Sequence, residues 1–171
     1  AHIRADDLLA LDALQRALGD RVVSDTATRE YYANDVFWQP GIPPLAVVLP
    51  ESVKEAAEAV RLTTDAGLSV VPRGGGMSYS KGYLPDRVDS VVVDTRKLNR
   101  ILEVNTDDRY ITVEAGCTWE KLNEALDGTG LRTGYWGPLS GVNATVGGAL
   151  SQNSAFFGSA LNGVVADCVI G

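Results

Sequence analysis

The sequence is poor in residues and segments that would by themselves indicate a function. It contains two cysteines, Cys117 and Cys168, and a single histidine, His2. Two cysteines are too few for a disulfide framework and are typical of a reducing compartment. No window holds the roughly 18 apolar residues that a membrane span requires, and the N-terminus lacks the apolar stretch of a signal peptide. These absences predict a cytoplasmic protein, and no metal site is predicted.

Basic residues are also scarce. The chain has 15 Lys and Arg against 22 Asp and Glu, which gives a formal net charge of −7, and it has no basic run. Because nucleic acids and anionic lipid surfaces are themselves negative, this balance disfavours them as the main partner. The 171 residues are 45% hydrophobic and 22% charged, which is typical of a globular protein that buries a core.

The first part of the chain combines a helical pattern with an irregular segment. Leucines at positions 8, 11, 14 and 18 recur at helical spacing and predict an amphipathic helix, which Gly19 would end. The aromatic and proline-rich residues 31–44 predict an irregular segment that packs over an apolar surface.

A β-α-β unit is predicted next. The apolar run 45–49 predicts a buried strand. Ser52 and Glu55 have the spacing of a capping box, in which each side chain accepts a free N–H, so a helix should start directly after Ser52. Gly67 ends that helix, and residues 69–71 form the second strand.

The pattern changes in the second half. Strands are predicted at 90–94, 101–105 and 110–114, the last two joined as a hairpin, and Thr118 should begin a short helix. Little regular structure is predicted between residues 134 and 163. Residues 164–170 predict a last strand with nothing after it, and the chain begins without Met. We therefore expect a piece of a longer protein.

The most informative motif follows the second strand. It reads Pro72, Arg73, Gly74, Gly75, Gly76, Met77 and Ser78. Three glycines without Cβ allow positive φ and bring backbone N–H groups against an anion, and Arg73 adds a charge beside them. The motif lies at the carboxyl end of a strand, where open α/β sheets bind their ligands. It predicts a phosphate-binding loop, with a tight surface turn as the alternative.

Two common phosphate-binding motifs do not match this loop. A P-loop requires Gly-Lys-Ser/Thr, whereas Lys81 lies three residues after Ser78 and no hydroxyl follows it. A Rossmann fingerprint requires a third small residue for close helix packing, and Tyr79 stands at that place. The sequence therefore disfavours a kinase, an ATPase and Rossmann-type NAD binding.

Two later glycine-rich segments accompany the loop in order: Glu114-Ala115-Gly116, and Gly141 to Gly148 with its Thr145-Val146-Gly147-Gly148 run. With these segments the chain resembles the FAD-binding domain of the vanillyl-alcohol oxidase and p-cresol methylhydroxylase family. It is most similar to the branch of glycolate oxidase-like and D-lactate oxidase-like flavoproteins. The resemblance runs from about Leu45 to Gly171.

The resemblance implies an α+β, two-lobed FAD-binding fold of the p-cresol methylhydroxylase type. Its β-α-β lobe would span residues 1–78, and a mostly β second lobe would span 79–171 and be incomplete, without the cap and C-terminal parts of the family. The residues that the resemblance assigns to FAD are Pro72, Arg73, Gly74, Gly75, Gly76, Met77, Ser78, Gly116, Pro138, Gly141, Thr145, Gly147, Gly148, Asn153, Gly158, Gly163 and Val169.

The implied function is that of an FAD-dependent oxidoreductase acting on an alcohol or 2-hydroxy acid, with oxygen, a quinone or a cytochrome as electron acceptor. Some members attach the flavin to a histidine where this chain has Met77, so we expect non-covalent FAD. The catalytic base would come from beyond residue 171, and no catalytic residue is assigned. The alternatives are a flavin-carrying subunit of a larger complex and an enolpyruvyl-sugar reductase-like enzyme. Homo-oligomerisation is left open.

Overall fold

The computed structural model describes residues 3–37, 41–134 and 140–171. Its contacts divide the chain into two compact units, Ala1–Lys97 and Leu98–Gly171. The division falls later than residue 78, the lobe boundary expected from the sequence. The reason is that the strand Ser90–Asp94 pairs with strands on both sides inside the first unit.

The first unit contains three helices and four strands within its described residues. In chain order they are α1 Ala5–Leu18, β1 Val22–Val23, α2 Thr26–Tyr32, β2 Ala46–Val48, α3 Val53–Asp65, β3 Ser69–Arg73 and β4 Ser90–Asp94. Short 3-10 turns over Gly19–Arg21 and Thr95–Lys97 follow α1 and β4.

The four strands form one sheet in the order β1-β2-β4-β3. Strand β1 is antiparallel to β2, while β2, β4 and β3 run parallel, with Val92 of β4 beside Val47 and Val71. The central strand β4 is buried along its whole length because neighbours and helices cover it. Leu14 of α1 and Ala59 of α3, both fully buried, lie in the main core of this unit.

The predicted β-α-β unit is present, with one difference at the start of α3. The Ser52 hydroxyl accepts the Glu55 N–H at 3.2 Å, as the capping-box spacing predicts. The Glu55 carboxylate instead accepts the Glu51 N–H at 2.6 Å, one residue earlier than a capping box requires. Gly67, with φ of +70°, lies just after the helix, where a left-handed residue ends it.

The prediction of an irregular segment from residue 31 is wrong at its beginning. Tyr31 and Tyr32 are the last turn of α2, whose N-cap residue Asp25 accepts the Thr28 N–H at 2.9 Å. A short helix with one good cap is stabilised by the contacts of Tyr32, which is buried. Local sequence pattern gives little sign of such a helix.

The second unit contains a hairpin and three helices within its described residues. They are β5 Ile101–Asn105, β6 Tyr110–Val113, α4 Trp119–Leu126, α5 Val146–Ser151 and α6 Ser159–Asn162. The hairpin is antiparallel, as predicted, with a register shift between Ile101 and Glu103. Trp119 and Leu122 of α4 lie in the core of this unit, which is more helical than the mostly β lobe expected.

The strand predicted at 164–170 is absent, and a 3-10 turn over Val165–Cys168 takes its place. Gly163 has φ of +82°, and the Asp167 carboxylate accepts the Val164 N–H at 2.9 Å. This side-chain bond closes the turn and makes an extended conformation unfavourable. An apolar run interrupted by Asp167 therefore behaves as a turn.

The α+β class predicted from the sequence is confirmed by both units. Across the described ranges, no helix has the length and apolar character needed to cross a bilayer.

Candidate functional site

The glycine loop lies at the carboxyl edge of the parallel sheet in the first unit. Strand β3 ends at Arg73 and β4 ends at Asp94, and these two residues are paired in register. Residues 74–78 follow directly and have no regular secondary structure. The sequence expectation of a loop at the ligand-binding edge is therefore met by the topology of the sheet.

The loop presents unpaired backbone donors. Within the described parts of the chain, the N–H groups of Gly74, Gly75, Gly76 and Met77 have no hydrogen-bond acceptor. All four residues are partly exposed, and Gly76 has φ of +66°. Successive N–H groups around a left-handed residue form a concavity for an anion. The donor set therefore fits a phosphate group.

Arg73 has a different environment from the one that the motif predicts. Its side chain is 7% exposed, and Nη1 donates to the carbonyl oxygens of Tyr32 at 3.2 Å and Asn34 at 3.5 Å. The guanidinium carbon lies 4.8 Å from the ring centroid of Tyr32 and 4.7 Å from that of Tyr83. Arg73 is thus packed against aromatic rings and bonded to main-chain carbonyls, and is not a free surface charge.

Gly76 is in close contact with Arg73. A Cβ on Gly76 would lie 2.7 Å from Nη2 of Arg73, closer than real Cβ atoms approach. On the same residue, the carbonyl oxygen accepts the hydroxyl of Tyr83 at 2.8 Å. Burial raises the pKa of Tyr83, which keeps that hydroxyl protonated and able to donate. The sequence pattern does not predict this contact of Tyr83, because it depends on how the chain returns after the loop.

A polar network around the buried Asp94, the register partner of Arg73, lies at the end of β4. Asp94, fully buried, accepts the hydroxyl of Tyr32, and Nη2 of Arg96 donates to the same carboxylate at 2.6 Å. Nη2 of Arg96 also donates to the Tyr32 hydroxyl at 2.8 Å. Burial and the neighbouring Asp94 raise the pKa of Tyr32 to about 12. Tyr32 therefore connects α2 to the end of β4 through its hydroxyl and to Arg73 through its carbonyl.

The glycines of the second unit have intrachain partners. Gly116 N–H donates to Leu98 O at 2.7 Å, and Gly147 N–H donates to Ala115 O at 2.9 Å. Gly148 N–H donates to the Thr145 hydroxyl at 3.2 Å, which caps α5. Thr145 is buried. These groups join α5 to the segment after β6, and their role in holding FAD remains a prediction.

The other predicted residues of this unit are spread over turns and helix ends. Gly141 O accepts the Glu120 N–H at 3.1 Å, and Asn153, with φ of +47°, accepts the Ala166 N–H at 3.2 Å. Gly158 precedes α6 and Gly163 follows it, both with positive φ. Val169 is exposed. Pro138 lies outside the described residues.

The remaining loop residues are accessible. Pro72 is exposed, and the Ser78 hydroxyl lies 2.8 Å from the hydroxyl of Ser80.

Cys117 is buried in the core of the second unit, where burial raises the pKa of its thiol. In the part of the chain that the structure describes, no group of three or more His, Cys, Asp or Glu side chains is placed to hold a metal ion.

These features describe an α+β fold with a glycine loop at its sheet edge whose donors fit an anion. The profile of the family described as "FAD binding domain" matches residues 44–171. The chain belongs to this family, and the prediction of FAD as cofactor is confirmed.

Curated relatives agree with the family. The chain is 37% identical over 134 residues to a D-2-hydroxyglutarate dehydrogenase of Pantoea ananatis, covering 75% of this chain and 12% of the relative. It is 31% identical over 129 residues to D-lactate dehydrogenase [cytochrome] 1, mitochondrial, of Saccharomyces cerevisiae, covering 74% and 22%. The chain thus spans less than a quarter of the length of either relative.

Solved structures show the same fold. An alkyldihydroxyacetonephosphate synthase superposes with a TM-score of 0.80 at 23% identity, covering 97% of this chain and 35% of that one. p-Cresol methylhydroxylase with bound substrate superposes with a TM-score of 0.75 at 16% identity, covering 90% and 30%. The fold predicted from the resemblance is confirmed.

Proposed function

We propose that this chain forms the FAD-binding portion of an oxidoreductase that oxidises an alcohol or 2-hydroxy acid, with FAD held non-covalently. The observation that carries the proposal is the row of N–H groups from Gly74 to Met77, which have no acceptor among residues 3–37, 41–134 and 140–171. The row lies at the carboxyl edge of a parallel sheet and inside the matched range. Such a row satisfies phosphate oxygens without requiring a helix N-terminus.

The residues of the loop have distinct parts in this proposal. The N–H groups bind the pyrophosphate, and the Ser78 hydroxyl, at the partly exposed end of the loop, adds a donor. The assigned residues of the second unit, from Gly116 to Val169, stay in the proposal as further FAD contacts. FAD, when bound, supplies the acceptor for the hydride removed from the substrate.

Non-covalent attachment is part of the proposal because of Met77. A thioether does not form the link that a histidine forms at this place in some members of the family. The only histidine of the chain, His2, lies outside the described residues. The bound flavin should therefore leave the protein when the protein is denatured.

The names of the relatives support 2-hydroxy acids as the substrate class, since they include D-2-hydroxyglutarate and D-lactate dehydrogenases. No residue of this chain is assigned as the catalytic base. The acceptor is oxygen, a quinone or a cytochrome. A cytoplasmic location stays a prediction, which cell fractionation tests. The oligomeric state is left open, and light scattering of the purified protein determines it.

The cofactor is tested on the full-length natural protein. The purified protein should be yellow, and acid precipitation should release the colour into the supernatant. A colourless protein that does not take up added FAD would contradict the proposal. Colour that stays in the pellet would contradict only non-covalent binding.

The reaction is tested by anaerobic mixing with candidate substrates. D-Lactate, D-2-hydroxyglutarate and a simple alcohol should be compared, and at least one should bleach the flavin absorbance. Bleaching by NADPH alone would favour the reductase alternative. A flavin that none of these compounds reduces would favour the role of a flavin-carrying subunit.

A further inference from the structure

The direction of one loop N–H is determined by a contact on the opposite side of its peptide group. The described residues contain no cis peptide bond, and in a trans peptide the C=O and the following N–H point in opposite directions. The Gly76 carbonyl accepts the Tyr83 hydroxyl at 2.8 Å. The Met77 N–H therefore points away from Tyr83, to the side where it has no acceptor among the described residues.

The side chain of Arg73 also contacts Gly76. The guanidinium of Arg73 would lie 2.7 Å from a Cβ on Gly76, and its carbon is 4.7 Å from the Tyr83 ring centroid. Tyr83 and Arg73 thus pack against each other and both contact Gly76. Gly76 also has φ of +66°, which only a residue without Cβ adopts here without strain and without displacing Arg73.

Both contacting side chains are buried, at 7% exposure for Arg73 and 8% for Tyr83. A buried guanidinium is stabilised by acceptors and ring faces, and Arg73 has the Tyr32 and Asn34 carbonyls and the neighbouring rings. Its Nη1 already donates to main-chain oxygens. Arg73 therefore acts on the loop from the protein side.

We propose that Tyr83 is a positioning residue for the phosphate loop and that Arg73 acts with it: together they fix the Gly76–Met77 peptide so that its N–H faces the FAD pyrophosphate. This role differs from the direct phosphate contact that the motif suggests for Arg73. The inference rests on the proposed FAD site at residues 74–78.

The primary test is Tyr83→Phe in the full-length protein, with the FAD dissociation constant measured by flavin fluorescence titration of the apoprotein. Loss of one positioning hydrogen bond should raise that constant about three- to tenfold. The matched control is Tyr110→Phe, which removes a hydroxyl that donates to Glu103 at 2.8 Å and does not touch the loop. The control should bind FAD as the wild type does.

Further measurements distinguish a positioning role of Tyr83 from a general loss of stability. ADP, which carries the pyrophosphate without the flavin, should compete less well in Tyr83→Phe by the same factor as FAD. Both titrations are made well below the unfolding temperature of each variant. An FAD constant within twofold of the control, or an ADP constant that is unchanged, would overturn the proposal.

Arg73→Lys tests the pair and replaces the primary variant if Tyr83→Phe does not fold. A lysine keeps the charge but loses the planar stacking and the forked donors, so FAD affinity should fall about tenfold. Unchanged affinity would overturn the proposal.

Where both variants fold, the double variant tests whether the two residues act together. Its loss of FAD affinity should be smaller than the product of the two single losses, because both residues act through Gly76. A loss equal to that product would contradict a shared action. Wild-type protein that fails to bind FAD would instead contradict the proposed function.

Discussion

Two glycine-rich segments of this chain have similar composition and different structure. In residues 74–78 of the first unit, the N–H groups of Gly74, Gly75 and Gly76 have no acceptor within the described residues. In the second unit, Gly147 and Gly148 donate to Ala115 O and to the Thr145 hydroxyl. Glycine therefore serves two purposes here, the presentation of donors and the close approach of chain segments.

A count of glycines therefore does not identify a phosphate loop. The proposed phosphate site rests on donors that have no partner among the described residues and on the positive φ of Gly76 beside them. The close contact at Gly147 has the opposite character, since a Cβ there would lie 2.8 Å from backbone and side-chain atoms of Ala115. Substitution of single residues separates the two purposes.

The largest effect on stability is expected for Gly147→Ala. The added methyl group would meet Ala115 O and Ala115 Cβ at 2.8 Å, and backbone cannot rotate away as a flexible side chain does. The free energy of unfolding should fall by about 3 kcal/mol, as for an overpacked core. Chemical denaturation of the apoprotein measures it.

Gly82→Ala is the matched control for this prediction. A Cβ on Gly82 would meet only the Ser80 hydroxyl, at 3.3 Å, and that side chain can turn. Its stability should change by less than about 0.5 kcal/mol. If both alanine variants were equally stable, Gly147 would not be a packing glycine and the comparison of the two segments would lose its basis.

The next effect, on cofactor affinity, is expected for Gly76→Ala. The φ of +66° costs an alanine about 1–2 kcal/mol, and the methyl group displaces Arg73 from behind the loop. FAD binding should weaken by about tenfold or more, measured by titration, because the donors no longer converge.

Gly128→Ala shows the cost of positive φ alone. Gly128 has φ of +77° and nothing within 4 Å of a Cβ. Gly128→Ala should lose about as much stability as the positive φ costs in Gly76→Ala, and it should keep the FAD affinity of the wild type. Equal loss of FAD affinity in both variants would mean that the effect at Gly76 is general strain.

Much of this architecture is predictable from local sequence. The strand Ser90–Asp94, the strand Ile101–Asn105 and the caps Ser52 and Thr118 lie where the pattern predicts them. Each depends on neighbours in sequence, through apolar runs or a hydroxyl three residues before an N–H. A few neighbouring residues are therefore enough to predict these elements.

What could not be predicted depends on tertiary contacts. The helix that ends at Tyr32 is stabilised by a hydroxyl contact to Asp94, which is distant in sequence. The surroundings of Arg73 could not be predicted for the same reason, since its partners are the Tyr32 carbonyl and aromatic rings distant in sequence. The motif predicts a phosphate loop at this place, but it does not predict that the arginine is buried.

A smaller effect is expected for Thr145→Ala in the second segment. The substitution removes the hydroxyl that caps α5 at the Gly148 N–H. Stability should fall by about 1 kcal/mol, the usual cost of losing an N-cap, and Thr145→Ser should retain most of it. Denaturant titration of both variants checks this. A serine variant as unstable as the alanine variant would show that burial of the methyl group, and not the cap, is what matters.

The smallest effect is a pH dependence in the segment that leads to Gly116. Glu114 accepts the Arg100 N–H at 2.8 Å and Nη2 of Arg100 at 2.7 Å, and these bonds hold the pKa of Glu114 below its usual value of 4.5. Because the folded pKa is the lower one, the stabilisation is present above pH 4.5 and is lost as pH falls through the folded value.

Glu114→Gln should therefore be less stable than the wild type at pH 7, and the difference should shrink as the pH falls below about 4.5. Glu124→Gln, at an exposed position of α4, provides the control and should follow the wild type at every pH. Thermal unfolding from pH 3 to pH 7 measures both. A difference between Glu114→Gln and the wild type that stays constant with pH would mean that shape, and not charge, holds this segment beside the hairpin.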